Sequence, residues 1–133
     1  MFDPLVAGWE AVDDSGFVGL VGPMVRRTQG DYDEYGFVAE PKHANLNNVV
    51  QGGMLMTFAD RAFGRTAWQV AGRSTATIQF DMQFLSAARI GEFIETQPEV
   101  VRRTSALVFI RGMLFAGPRI VATAHGVWKI LGS

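Results

Sequence analysis

The feature that most constrains the fold is one long amphipathic run in mid-chain, followed directly by an alternating stretch. Between residues 54 and 71 the apolar side chains recur at intervals of three and four, which predicts an α-helix with one buried face: Met54, Leu55, Phe58, Ala59, Ala62 and Phe63. From Ala76 to Phe84 every second residue is apolar, which predicts a half-buried strand. A lone apolar helix has to be covered, and an antiparallel sheet curled around it does this.

The remaining segments predict short strands on both sides of that helix. Residues 17–27, broken near Gly22-Pro23, and residues 34–40 are predicted strands before it. Three predicted strands follow the alternating one: residues 92–104, with Pro98 implying an edge or a bulge, then 105–115 and 119–130 as a hairpin. A short helix is predicted over residues 2–12, with Asp3 as its N-cap and Pro4 in its first turn. The order predicts an α+β fold, with one long central helix wrapped by a curved antiparallel sheet of five or six strands. We expect a single domain covering residues 1–133.

Composition excludes several classes of function. The 133 residues include no cysteine, which excludes metal sites built from thiolates. With only two histidines as well, we do not expect a structural zinc site. A formal net charge of −1 gives no support for nucleic-acid binding. No basic segment precedes an apolar stretch at the start, and no apolar run approaches the roughly 18 residues of a membrane span. We therefore expect a soluble, cytoplasmic protein with neither a metal nor a nucleic-acid or membrane partner.

Asp60 is the strongest single candidate for chemistry. Aspartate is a poor residue for a helix interior, and no basic residue stands three or four positions away to pair with it. Perturbed carboxylates favour functional sites, although a structural or merely exposed aspartate is equally compatible with these facts.

Gln51-Gly52-Gly53, at the predicted helix start, is the second candidate. Glycines there bring free backbone N–H groups and the positive end of the helix dipole close to a ligand, where they can hold the oxygen of a polarised carbonyl. Taken alone, the pair fits a tight turn or close packing better. His43, Asn45 and Thr77 are likewise ordinary polar residues when each is considered alone.

Together these residues are more specific. The pattern His43-x-Asn45-x-x-Asn48-x-x-Gln51-Gly52-Gly53, followed by Asp60, resembles the HxNxxGxxHGG…D signature of hot-dog-fold acyl-CoA thioesterases of the phenylacetic-acid-degradation type. Residues 85–92 resemble the SPAKLGE segment of the same family. The resemblance implies a hot-dog fold and the hydrolysis of an acyl-CoA thioester.

By position, the resemblance assigns the carboxylate base or nucleophile to Asp60 and the orienting hydroxyl to Thr77. Asn45 and the Gly52 N–H would hold the thioester carbonyl. His43, Asn48 and Gly53 complete the substrate-binding loop. The family's histidine before the glycines is Gln51 here, which can donate a hydrogen bond but cannot take up a proton near neutral pH. Its loop glycine is Asn48, which tolerates the left-handed conformation.

Helix geometry adds an expectation of its own about the assembly. Gly52 and Asp60 would lie about 12 Å apart along one helix axis, too far to act on one carbonyl within a chain. We therefore expect a site shared between the two identical subunits of a homodimer. The resemblance implies the same pairing, with two dimers often forming a homotetramer.

Coenzyme A would be part of the substrate, so the resemblance implies no separate cofactor. The candidates for its phosphates are Arg89, Arg102 and Arg103. Two alternatives remain open: an acyl-CoA-binding module without catalysis, motivated by Gln51, and a 3-hydroxyacyl-thioester dehydratase, which would need a histidine beside the carboxylate. The acyl group is not readable from the sequence.

Overall fold

The computed structural model describes residues 1–132 and contains one long helix, α2 (Gly52–Ala71). It begins two residues before the predicted start and ends at Gly72, whose φ of +72° is the left-handed cap that glycine adopts without strain. Its buried face consists of the residues that the spacing predicted together with Ala67. These side chains form the core with buried residues of the sheet that lie chiefly in the ranges 35–37, 108–116 and 121–130, and Phe80 and Met82 pack against them.

The sheet contains eight strands rather than the five or six predicted. They are β1 (Glu10–Ala11), β2 (Val25–Gln29), β3 (Tyr32–Val38), β4 (Thr75–Phe84), β5 (Phe93–Thr96), β6 (Glu99–Arg103), β7 (Leu107–Ala116) and β8 (Arg119–Ile130). All pairings are antiparallel, in the order β1-β2-β3-β5-β7-β8-β4, with β6 also paired to β7. The extra strands arise because β1 is added and because the predicted strand over residues 92–104 is divided between Thr96 and Glu99, around Pro98.

The predicted hairpin is confirmed as β7 and β8, and the alternating stretch as β4. β4 lies at one end of the strand order and pairs with β8 alone among the described strands. The other side of β4 has no strand partner in the described chain, so its backbone forms an open edge of the sheet. None of its ten residues is buried.

The predicted helix over residues 2–12 is wrong. Residues 4–8 form turns, and β1 follows. The rings of Phe2 and Trp9 both pack on Phe93, with centroids 4.8 and 5.1 Å away, and the Arg27 guanidinium lies 4.3 Å from the centre of the Trp9 ring. Phe2 and Trp9 therefore anchor an irregular segment on the sheet, whereas Leu5 and Val6 from the same apolar pattern are exposed.

The predicted strand over residues 17–27 is wrong in its first half, which forms the short helix α1 (Gly16–Val21). Val18 and Val21 pack against the core while Phe17 and Leu20 face outward. Valine and phenylalanine favour a strand here, but these packing contacts override the local preference.

Candidate active site

The start of α2 presents two backbone N–H groups with no acceptor among residues 1–132, those of Gly52 and Gly53. The next N–H, of Met54, is capped by the Gln51 side chain, whose Oε1 accepts it at 3.0 Å. Gln51 thus stands at the N-cap, and the Met54 N–H is shared between the Gln51 side-chain oxygen and the Gln51 backbone carbonyl, which accepts at 2.9 Å. Its Nε2 group is left without an acceptor in the described chain.

Each glycine has a neighbouring side chain close to the position that a Cβ would take. A Cβ on Gly53 would lie 2.6 Å from Gln51 Oε1, so only glycine leaves room for the capping side chain. A Cβ on Gly52 would lie 3.1 Å from Cζ of Phe84, a ring from β4 that is about half exposed. The pair therefore meets the packing requirement and also leaves its N–H groups available.

The loop before the helix is held together by Asn45. Its Oδ1 accepts the N–H groups of Asn47 at 2.8 Å and of Val49 at 3.2 Å, which leaves the Nδ2 donor available for a ligand. Asn48 has φ +59°, the left-handed conformation for which asparagine is suited. Asn45 is therefore part of the scaffold through one amide atom and can contact a ligand through the other.

His43 is buried, with 4% of its surface exposed. Its Nδ1 accepts the Glu40 N–H at 2.9 Å, which assigns the proton to Nε2, and Nε2 donates to the Val21 carbonyl at 2.5 Å. Both ring nitrogens are thus used to join the loop to the end of α1. This geometry makes His43 a residue that holds the loop and leaves it no nitrogen for the substrate contact that the resemblance implied.

Asp60 lies in the middle of α2 and faces β4. Thr77 Oγ1 donates a hydrogen bond of 2.7 Å to Asp60 Oδ1, and Oδ2 has no donor among residues 1–132. The neighbouring Arg61 turns away and binds Asp14, with its Nε 2.7 Å from Asp14 Oδ1. Asp60 is therefore a carboxylate with one oxygen held by a hydroxyl and the other available, as expected for a base or nucleophile.

Gly52 and Asp60 line different cavities. Gly52 and Phe84 border a cavity of about 350 Å³ together with residues 85–88. Asp60 and Thr77 border a second cavity, of about 290 Å³, near the other end of β4. The structure thus brings Asp60 to Thr77 within one chain but leaves this pair apart from Gly52 at the helix start. Asn45 lies in the loop before Gln51 and bonds Asn47 and Val49 there.

The three arginines proposed for the phosphates are all exposed. Arg89 comes directly after residues 85–88, which line the Gly52 cavity. Its backbone pairs with Val49 in the loop before α2. Arg102 and Arg103 lie on β6. The structure does not gather these three side chains into one cluster with the loop.

Sequence reasoning missed Arg119. Its guanidinium bonds Glu92 Oε1 at 2.7 Å, the Ala87 carbonyl at 2.9 Å and Ser86 Oγ at 3.3 Å. The hydrogen bond from Arg119 to Glu92 lowers the pKa of the Glu92 carboxyl below its usual value, although partial burial acts in the opposite direction. Arg119 thus holds the segment that lines the Gly52 cavity. No local pattern indicates it, because its partners are distant in sequence.

A family model described as the thioesterase superfamily matches residues 47–123. The chain belongs to this superfamily. The matched range includes Gln51, Gly52, Asp60 and Thr77, so the residues just described lie inside it. No helix among residues 1–132 is long and apolar enough to cross a membrane. The same residues contain no group of three histidine or acidic side chains placed to hold a metal ion.

Similar proteins agree with this assignment. The putative esterase PA0474 of Pseudomonas aeruginosa is 30% identical over 97 residues, 68% of this chain and 69% of that protein. Among solved structures, a putative thioesterase of Ralstonia eutropha JMP134, described as phenylacetic acid degradation-related, is 26% identical with a TM-score of 0.73 and covers 84% of this chain and 87% of its own. A hypothetical thioesterase of Streptococcus pneumoniae TIGR4, solved with coenzyme A, is 17% identical with a TM-score of 0.76 and covers 83% and 87%. The hot-dog thioesterase fold and the family resemblance are confirmed.

Proposed function

We propose that this thioesterase hydrolyses an acyl-CoA, at a site that combines the Gly52 N–H of one subunit with Asp60 of its partner. The observation that carries the proposal is the Thr77–Asp60 hydrogen bond of 2.7 Å, which holds one carboxylate oxygen against β4, the edge strand of the sheet, and leaves the other without a donor in the described chain. The coenzyme A bound to the Streptococcus pneumoniae structure supports coenzyme A as the thiol part of the substrate.

The open edge of β4 supports a shared site. If two copies pair antiparallel along the full length of β4, Thr75 would lie opposite the partner subunit's Phe84. Phe84 is the ring that packs on Gly52, so the partner's helix start would come alongside Asp60 and Thr77. The two cavities that are separate in one chain would then face each other across the two-fold axis.

The chemistry follows from these positions. The Gly52 N–H, with the amide donor of Asn45 or Gln51, polarises the thioester carbonyl and stabilises the negative charge that develops on its oxygen. Asp60 then takes a proton from a water that attacks the carbonyl carbon, or attacks that carbon itself to give a mixed anhydride, which water later cleaves. In either route the carbon–sulfur bond breaks, and the coenzyme A sulfur leaves and gains a proton. Thr77 holds Asp60 in the attacking position.

The dehydratase alternative is disfavoured by the hydrogen bonds of His43, because an engaged, buried imidazole cannot pair with Asp60 for proton transfer. The binding module without catalysis is separated from the enzyme by assaying the purified protein with a panel of acyl-CoAs. Turnover supports the proposal, and tight binding without turnover would replace it with the module.

Subunit mixing tests the shared site. Asp60→Asn removes the charge, and Asn45→Asp removes the Nδ2 donor while keeping the oxygen that holds the loop. A mixed dimer would contain one site with both original residues and one with neither. Equal amounts should regain up to about a quarter of the original activity, since about half the dimers are mixed and each regains one of its two sites. No recovery, with exchange confirmed by mass spectrometry, would place the whole site within one chain.

A further inference from the structure

A mid-helix glycine lies one turn beyond Asp60. Glycine costs about 1 kcal/mol relative to alanine in a helix interior, and Gly64 does not have the positive φ that would require it. A Cβ at position 64 would lie 3.3 Å from Nε1 of Trp128, the residue opposite Thr77 in the sheet register. Any side chain there would therefore lie against the indole nitrogen and close off that side of it.

The Trp128 indole N–H is itself unusual. The residue is 1% exposed, and its Nε1 has no hydrogen-bond partner among residues 1–132. A buried donor left unpaired costs about 1–3 kcal/mol, so an acceptor supplied by a ligand would remove a real penalty. Gly64 is the neighbour at which a Cβ would come closest to this donor, at 3.3 Å, so glycine keeps a methyl group from pressing on it.

Both residues line the cavity that contains Asp60. We call it the Gly64 slot and define it by Asp60, Gly64, Trp68, Thr75, Thr77 and Trp128. Trp68, about half exposed, forms a second aromatic wall, and Arg65 lies at its border. Apart from Asp60 its charged and indole groups are hydrogen-bond donors, so the slot suits a ligand that carries oxygen acceptors.

We propose that the Gly64 slot receives the acyl group of the substrate, and that Trp128 Nε1–H donates a hydrogen bond to an oxygen carried by that group beyond the thioester carbonyl. The inference rests on the proposed function, because the slot adjoins the carboxylate that would act on the carbonyl carbon. The arginines proposed for coenzyme A lie outside it, which leaves the slot to the acyl side. Gly64 and Trp128 are thus specificity-determining residues, and the substrate class is a compact, oxygen-bearing acyl thioester.

The test uses pairs of acyl-CoAs that differ by one oxygen: 3-hydroxybutyryl against butyryl, and 4-hydroxybenzoyl against benzoyl. Dissociation constants are measured by calorimetry on the full-length Asp60→Asn protein, so that binding is read without turnover. We expect the oxygen-bearing member of at least one pair to bind roughly tenfold more tightly, as for one added hydrogen bond to a buried donor. Trp128→Phe removes the N–H but keeps a ring, and should bring that ratio close to one.

Two further variants guard against a trivial loss of folding. Gly64→Ala blocks the side of the indole with a methyl group in a position where alanine favours the helix, so a folded protein should again lose the preference. Trp9→Phe makes the same change at a buried tryptophan on the N-terminal segment and should keep the ratio. Thermal melting of each variant confirms that the folded protein is compared.

The outcomes separate this proposal from the proposed function. No preference in either pair, no binding, or a preference that survives both Trp128→Phe and Gly64→Ala overturns the slot, even if the unsubstituted protein hydrolyses acyl-CoAs. A preference lost in both variants, in a protein that hydrolyses no acyl-CoA, supports the slot and overturns the hydrolysis.

Discussion

At the start of α2 the side chains around the candidate site are bonded within the chain, whereas about 12 Å further along the helix Asp60 keeps a carboxylate oxygen free. His43, Asn45 and Gln51 each bind backbone groups and so shape the loop that presents the Gly52 N–H. Asp60 and Thr77 bind each other and hold no part of the backbone. The difference separates a loop whose side chains support the backbone from a side-chain pair that leaves one carboxylate oxygen available.

The largest expected effect is that of Asp60→Asn on turnover. The change keeps the size of the side chain and removes its charge, so kcat should fall by roughly 10²–10⁴-fold, as for loss of a general base. The free energy of unfolding should stay within about 0.5 kcal/mol, because the side chain is only partly buried and supports no backbone group. Turnover and thermal melting check both parts. A folded variant with near-normal hydrolysis would remove Asp60 from the mechanism.

His43→Ala should show the opposite pattern. It leaves the Glu40 N–H and the Val21 carbonyl without their partner, at about 1–3 kcal/mol for each group that stays buried. We expect a clear loss of stability in urea unfolding, with KM and kcat of the folded fraction changed less than threefold, roughly the scatter of such effects. The matched control is His125→Ala, at an exposed imidazole on β8, which should leave stability nearly unchanged. A raised KM without a loss of stability would return His43 to the substrate site.

Thr77→Val tests whether the hydroxyl that binds Asp60 contributes to turnover. It replaces the hydroxyl that donates to Asp60 with a methyl group of similar shape, so kcat should fall roughly tenfold while KM changes little. Thr123→Val, on neighbouring β8, is the control for loss of a strand hydroxyl that does not bond Asp60. Equal kinetics for the two variants would argue against a positioning role for Thr77.

Gln51 combines both features of the comparison, because its Oε1 caps the helix and its Nε2 has no acceptor in the described chain. Gln51→Ala should cost about 1 kcal/mol of stability through loss of the cap on the Met54 N–H, and lower kcat roughly tenfold. Gln51→Glu keeps the capping oxygen and removes the Nε2 donor, so it should recover stability but not rate. If both variants keep the original rate, the side chain serves the turn alone.

The sequence predicted best where one pattern ran long. The spacing over residues 54–71 and the alternation over residues 75–84 determined α2 and β4, since each face is defined by many residues at once. It failed over residues 2–21, where short apolar runs fit helix or strand equally. There the contacts of Trp9 and Phe2 with Phe93, which is distant in sequence, decided the outcome.

By itself the sequence determined the long helix, the antiparallel sheet and the family, and it singled out Asp60 as the candidate acid. Only the tertiary structure decided that both ring nitrogens of His43 bond backbone groups and that Gln51 caps the helix. It alone also placed the unpaired Trp128 N–H beside Gly64. The physical reason is that a hydrogen bond depends on where two groups meet in space. Asp60 finds Thr77 only because β4 returns alongside α2, and no local pattern along the chain records that meeting.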